Sequence, residues 1–176
     1  ETWNGSSWTE VGDLNTARTA GAKPSNGTQT AAIFSSGNTG TTVETWDGSS
    51  WTEVADVNTQ RSAAFGMGTS TAQLICGGYA PPAYITNTEN WNGSAWTEVN
   101  DLSTGRGQDV PNGGGTATSA IAAGGVNHPG APAGNYLTTN TEEWDFTGLD
   151  PSTTPAAGYA DAITGDFYYN STTGQF

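Results

Sequence analysis

Basic residues are nearly absent from this chain. Lysine and arginine together number 4 in 176 residues, against 17 aspartates and glutamates, for a formal net charge of −13. Nucleic acid needs clustered Lys and Arg to neutralise its phosphates, and anionic membrane surfaces attract the same side chains, so neither partner is expected. Cysteine and histidine occur once each. A single cysteine permits no intrachain disulfide, and Leu74-Ile75-Cys76-Gly77-Gly78 reads as a buried strand carrying an inert thiol. A single histidine, His128, supplies neither the three or four ligands of a zinc site nor the basis for arguing a Ser/His/Asp arrangement. There is no EF-hand pattern, and Asn112-Gly113-Gly114-Gly115 lacks the Lys-Ser/Thr of a phosphate loop. We therefore expect no metal, no cofactor and no enzymatic activity. No run of 18 apolar residues exists, so no transmembrane helix and no membrane insertion are expected. No signal peptide is visible, and the chain opens in the middle of a repeat, as a processed product or part of a longer protein would.

What the sequence does contain is one phrase written three times. Glu1-Thr2-Trp3-Asn4-Gly5-Ser6-Ser7-Trp8-Thr9-Glu10-Val11 returns as Glu44-Thr45-Trp46-Asp47-Gly48-Ser49-Ser50-Trp51-Thr52-Glu53-Val54, then as Glu89-Asn90-Trp91-Asn92-Gly93-Ser94-Ala95-Trp96-Thr97-Glu98-Val99. A truncated fourth copy begins at Glu142-Glu143-Trp144-Asp145. The first Trp recurs at steps of 43, 45 and 53 residues. Counted from it, a second Trp follows at +5 (Trp8, Trp51, Trp96), acidic residues at +7 (Glu10, Glu53, Glu98) and +10 (Asp13, Asp56, Asp101), and an Arg at +15 (Arg18, Arg61, Arg106). A pair of small residues comes later: Ser36-Gly37, Gly77-Gly78 and Gly124-Gly125. A β-type period of about 40–50 residues points to propeller blades.

Each copy parses into four short antiparallel strands, with no sustained helical periodicity. Thr42–Trp46 is β-branched and aromatic, Asp47-Gly48 supplies a turn expected to be type I′, and Trp51–Val54 returns. Arg61–Gly68 and Ala72–Gly78 follow as further strands.

These residues resemble kelch repeats, whose pattern is a Gly-Gly pair, a spacer, a Glu-x-Trp strand, a turn and a second Trp. Gly77-Gly78, Glu89, Trp91, Trp96 and Arg106 carry the resemblance, which covers about residues 1–148. It implies an all-β fold of kelch-like β-propeller blades. Two complete blades are expected, at 33–68 and 72–118, with partial blades on either side, so that residues 1–149 form an incomplete ring completed by other chains or domains of the same assembly. Residues 150–176 read as a linker followed by a short C-terminal β extension. In that extension Gly165-Asp166-Phe167-Tyr168-Tyr169-Asn170-Ser171-Thr172-Thr173-Gly174 is similar to short segments common in bacteriophage tail fibres and other virion appendages.

Repetition turns most conspicuous residues into architecture. Of 17 carboxylates, 12 sit at repeat positions, whereas a glycosidase pair should be singular. The seven tryptophans Trp3, Trp8, Trp46, Trp51, Trp91, Trp96 and Trp144 are expected to fill the space between blades. Arg18, Arg61 and Arg106 are expected to pair with repeat carboxylates such as Glu44 or Glu53, since guanidinium suits partly buried bidentate pairing. Binding is instead expected in the non-repeat loops, through Tyr79, Tyr84, His128, Asn135 and Tyr136. The expectation is a structural and adhesive protein, extracellular or part of a virion, whose loops contact cell-surface glycan. The alternative is a secreted bacterial adhesin or carbohydrate-binding propeller. A copper oxidase of the galactose-oxidase type, which also uses kelch-like blades, would need His, Tyr and a Cys cross-linked to Tyr, and one His with one buried Cys argues against it.

Overall fold

The computed structural model describes residues 1–24, 26–107, 113–127 and 137–145. They form strands and no helix. In chain order these are β1 (Thr2–Trp3), β2 (Trp8–Thr9), β3 (Ala32–Gly37), β4 (Gly40–Trp46), β5 (Trp51–Val54), β6 (Phe65–Gly68), β7 (Gln73–Cys76), β8 (Tyr79–Ala80), β9 (Ala83–Tyr84), β10 (Thr88–Trp91), β11 (Trp96–Val99), β12 (Gly114–Gly115), β13 (Ser119–Ala123) and β14 (Thr141–Asp145). All pairings are antiparallel between neighbours in the chain order of each sheet. The first sheet is β3-β4-β5, with Ala22 bridging to Ser35 on its inner edge. The second is β6-β7-β10-β11, and the third is β12-β13-β14. β1 and β2 form a separate hairpin ahead of the first sheet, and β8 and β9 a small one inside the second.

The sheets are phased differently from the expected units at 33–68 and 72–118. Phe65–Gly68 does not join the strands before it. It pairs with Gln73–Cys76, Phe65 opposite Cys76 and Gly68 opposite Gln73, so one four-stranded sheet runs from Phe65 to Val99. The cause is a tight turn, in which Thr69 N–H donates to Ala72 O at 2.8 Å and Ala72 N–H donates to the Thr69 hydroxyl at 3.2 Å. The same turn recurs as Thr28–Ala31 and Thr116–Ser119. The longer stretch from Ala55 to Ala64 carries the chain from one sheet to the next. The final segment from 150 onward lies outside the described residues.

The repeated hairpins also differ from expectation. Their loops span four residues and are built on an Asx side chain, where a two-residue type I′ turn was expected. Asn4 Oδ1 accepts from Ser6 and Ser7 N–H, Asp47 Oδ1 from Ser49 and Ser50, and Asn92 Oδ1 from Ser94 and Ala95, all at 2.8–3.0 Å. Only the glycine takes positive φ, +95° to +99° at Gly5, Gly48 and Gly93. Side-chain capping of two backbone amides substitutes for the second left-handed residue. In each hairpin the two tryptophans face each other, with ring centroids 5.4–5.6 Å apart.

The core lies between sheets. Ile33 and Val43 of the first sheet meet Ile75, Trp91 and Trp96 of the second. Phe65, Met67, Leu74 and Cys76 of the second meet Ala120, Ala122 and Trp144 of the third. Tryptophan rather than phenylalanine is used because the indole N–H is also spent. Trp46, Trp91 and Trp144 donate to Gln29 O, Ser70 O and Ala117 O inside the tight turns of their own sheets, and Trp96 donates to Ala55 O before the second sheet, at 2.9–3.2 Å.

Candidate functional site: a loop hairpin on a buried arginine frame

Beneath the loops that lead into β4, β10 and β14 lies a repeated polar module. Arg18 pairs with Glu44, Arg61 with Glu89 and Arg106 with Glu142, each Arg just ahead of its sheet's inner edge and each Glu in that same sheet, on β4, β10 and β14. Glu53 lies on the exposed outer strand and takes no part in these pairs. Both side chains of the Arg61–Glu89 pair are fully buried. A third member, not singled out from sequence, completes the module. Asn15 and Asn58 each present backbone N–H and Nδ2 to the second carboxylate oxygen, at 2.7–2.9 Å, and Ser103 N–H does the same for Glu142 at 2.7 Å. The signal was present, since these residues all lie at +12 from the first Trp, but polar residues near a turn read as loop.

Burial alone would push the Glu44 carboxyl up, yet the Arg18 hydrogen bond and the two from Asn15 hold it below its ordinary value. Glu142 behaves alike: burial raises it, and Ser103 and Arg106 more than offset this. Asp47 is brought down to about 2 by the backbone N–H groups of Ser50 and Ser49. Burial pushes the Cys76 thiol up to about 12, so it stays protonated and inert. Among the described residues no three His, Cys, Asp or Glu side chains converge as a metal site would need.

The arginines also grip the loops above them. Arg61 donates to Gly77 O at 3.2 Å and to Asn87 O at 2.6 Å, the two ends of the loop from Gly77 to Asn87. Arg18 donates to Ser36 O and Phe34 O at 3.1 Å in the first sheet, and Arg106 to Ala122 O at 3.0 Å in the third. The small pair completes the frame by bonding across to the next sheet: Gly37 N–H donates to Arg61 O at 3.0 Å and Gly78 N–H to Arg106 O at 2.8 Å. These positions need left-handed backbone. Gly77 and Gly78 lie at φ +64° and +104°; a Cβ on Gly77 would strike Arg106 O ahead of the next sheet, and one on Gly78 would strike Ser62 O. Ser36 takes φ +60° without being glycine, and its buried hydroxyl finds no partner among the described residues.

On this frame stands the β8–β9 hairpin. It pairs Tyr79 with Tyr84, brings their rings to 5.3 Å at 56°, and exposes Pro81 and Pro82 at its tip. Its base is pinned by reciprocal backbone bonds between Tyr79 and Ser62, at 2.7 and 3.0 Å. A Cβ on Gly105 would strike Tyr84 O, and one on Gly107 would strike Ala63 O and crowd the Tyr84 ring. Tyr79 and Tyr84, two of the five expected loop residues, are thus brought together. His128, Asn135 and Tyr136 lie outside the described residues.

These sheets, all antiparallel β, match part of a kelch-like β-propeller. The solved protein titled "Structure of YjhT", a kelch-repeat β-propeller, is similar to this chain with a TM-score of 0.53 at 16% identity, over 73% of this chain and 43% of that one. The chain thus spans less than half the length of that protein. No protein-family model matches the sequence, and no curated protein does.

Proposed function

We propose that this chain is a structural and adhesive propeller segment, with no catalytic role, which presents the Tyr79–Tyr84 hairpin to a cell-surface glycan. The observation that carries the reading is that hairpin: two half-buried tyrosine rings held 5.3 Å apart at the foot of an exposed tip, on a loop whose two ends are clamped by Arg61. Aromatic faces stack on the C–H faces of pyranose rings, and phenolic hydroxyls exchange hydrogen bonds with sugar hydroxyls. A rigid scaffold with a projecting loop is where binding residues concentrate. Electrostatics narrows the ligand. With a net charge of −13 and three of its four cations held in ion pairs with Glu, the chain favours a neutral glycan over a sialylated or sulfated one. Cys76, buried with Phe65, Met67 and Leu74 and protonated, is a poor candidate for a copper-site cross-link to tyrosine.

The setting we favour is a virion appendage such as a bacteriophage tail fibre, with other chains or domains of the assembly completing the ring. Near-identical Thr/Gly/Asn-rich repeats and the fibre-like 165–174 segment motivate it. A glycan-array measurement tests the ligand. Neutral hexose-containing glycans should bind, and Tyr79→Ala/Tyr84→Ala should lose them by about tenfold or more. Unchanged binding in the double variant, or preference for anionic glycans, would sink the reading. Mass spectrometry of native material tests the setting: capsid or tail proteins alongside the chain support it, whereas a lone secreted chain favours a bacterial adhesin.

A further inference from the structure

One interface is built twice among the described residues. Each sheet offers its successor a mostly apolar strand face, and each successor lays tryptophan or alanine side chains on it. The two ends of the described fold carry the halves of this interface without their counterparts. At the N-terminal end Trp3 and Trp8 hold the positions of Trp91 and Trp96. The rings are equally close, but they are 42% and 64% exposed against 2% and 7%. A groove of about 320 Å³ lies beside them, reaching Trp46 and Trp51. At the other end Ile121 stands opposite Glu143, as Leu74 stands opposite Asn90 and Ile33 opposite Thr45. Leu74 and Ile33 are buried at 1% and 2%, whereas Ile121 is 41% exposed beside a groove of about 450 Å³.

We propose that these two surfaces dock on each other between copies of the chain, with the Trp3–Trp8 hairpin of one copy seated against the Ile121 face of the third sheet of the next. The argument is continuity with an interface already made twice within the chain: the same residue positions, one side offering Trp and the other an aliphatic strand. The contact is heterologous, head to tail, so it closes only if the rotation closes. Two copies contribute six sheets and two hairpins, within the four to eight blades in which propellers close. Charge opposes the contact, since each copy carries −13, so added salt strengthens it by screening. The inference deepens the ring-completion part of the reading above and is independent of the glycan site.

The test is sedimentation velocity on the 176-residue chain at low and high salt, with Trp8→Glu and Ile121→Glu, both at exposed positions, checked for folding by circular dichroism. The wild type should sediment as a dimer of the 18.1 kDa chain, more completely at high salt. Each single variant should associate about thirtyfold more weakly or worse, as loss of an interface anchor does. A mixture of the two variants should recover a dimer, because each retains the half that the other lacks. A wild type that stays monomeric at both salts overturns the proposal and assigns the surfaces to further repeats or an unlike partner. A dimer untouched by either substitution, or not restored by mixing, overturns it equally. Glycan binding to the Tyr79–Tyr84 hairpin survives in Trp8→Glu at monovalent affinity, which separates failure of this contact from failure of the ligand reading.

Discussion

The first and second sheets are built from nearly the same repeat, and they differ where the repeat lapses. Both bury an Arg–Glu pair with an Asn beside it, both close an outer hairpin on facing tryptophans, and both seal an inner turn with threonine. Yet the loop after β3 is only Asn38-Thr39, in left-handed conformation, whereas the loop after β7 runs from Gly77 to Asn87 and raises the tyrosine hairpin. In the second sheet Arg61 fixes both loop ends through the Gly77 and Asn87 carbonyls, so a long loop can stand between them, whereas Arg18 holds only carbonyls of β3 ahead of its short loop. That is how a repeat whose own residues are consumed by packing can still vary in what it presents.

The sharpest way to break the comparison is at the frame. Arg61→Ala strands the buried Glu89 carboxylate and the Gly77 and Asn87 carbonyls, and should cost about 3–5 kcal/mol in urea unfolding. Arg61→Met/Glu89→Leu, which removes both charges, should cost less than that single change, and an equal or larger loss would refute a desolvation account. Next come the tryptophans. Trp91→Ala should lose about 3–5 kcal/mol, while Trp3→Ala in the same local hairpin should lose less than about 1 kcal/mol at concentrations where the chain is monomeric. Similar losses at both would mean that the hairpin, not the sheet against it, supplies the energy.

Acid probes the same frame more gently. The Glu44 and Glu142 carboxyls sit below their ordinary value of 4.5 in the folded chain. Their contribution is therefore complete above the unfolded value and is lost as pH falls through the lower folded ones. The urea midpoint should hold steady from pH 7 to 5 and then fall, and Glu44→Gln should be less stable at pH 7 but flatter across the acid limb. The smallest effect expected is a gain. Ser36→Gly gives the first sheet the residue that the second already has, relieving a left-handed backbone and a buried unpaired hydroxyl, and should stabilise by about 1 kcal/mol in thermal unfolding. Destabilisation there would mean that Ser36 has a partner in solution.

Much of the architecture was legible because repetition reports position. A pair of tryptophans five apart around Asn-Gly or Asp-Gly can only be a hairpin, and Trp46 does face Trp51. That the repeated arginines need carboxylates also followed from burial, but the partner did not. Glu44 and Glu53 stand directly opposite each other on paired strands, and the lead-in segment that lies along the sheet's inner edge brings Arg18 to Glu44 and leaves Glu53 exposed. The phasing of the sheets was misread for a related reason: Phe65–Gly68 has the same strand character whichever neighbour it takes, and a short threonine turn decides the matter. Asn15, Asn58 and Ser103 were in register but looked like loop polarity until the carboxylates came to meet them. Tyr79 and Tyr84 were placed in one loop from sequence, but their pairing belongs to the β8–β9 ladder.

The sequence by itself determined the strands, the hairpins and the charge, because side-chain alternation, turn chemistry and composition act over a few residues. The tertiary structure alone decided which of several identical tryptophans are core and which are surface. The Trp3–Trp8 and Trp91–Trp96 pairs share their local residues and their ring spacing, and differ only in whether a sheet lies against them. Burial is a property of what comes to cover a residue, and no local pattern encodes that.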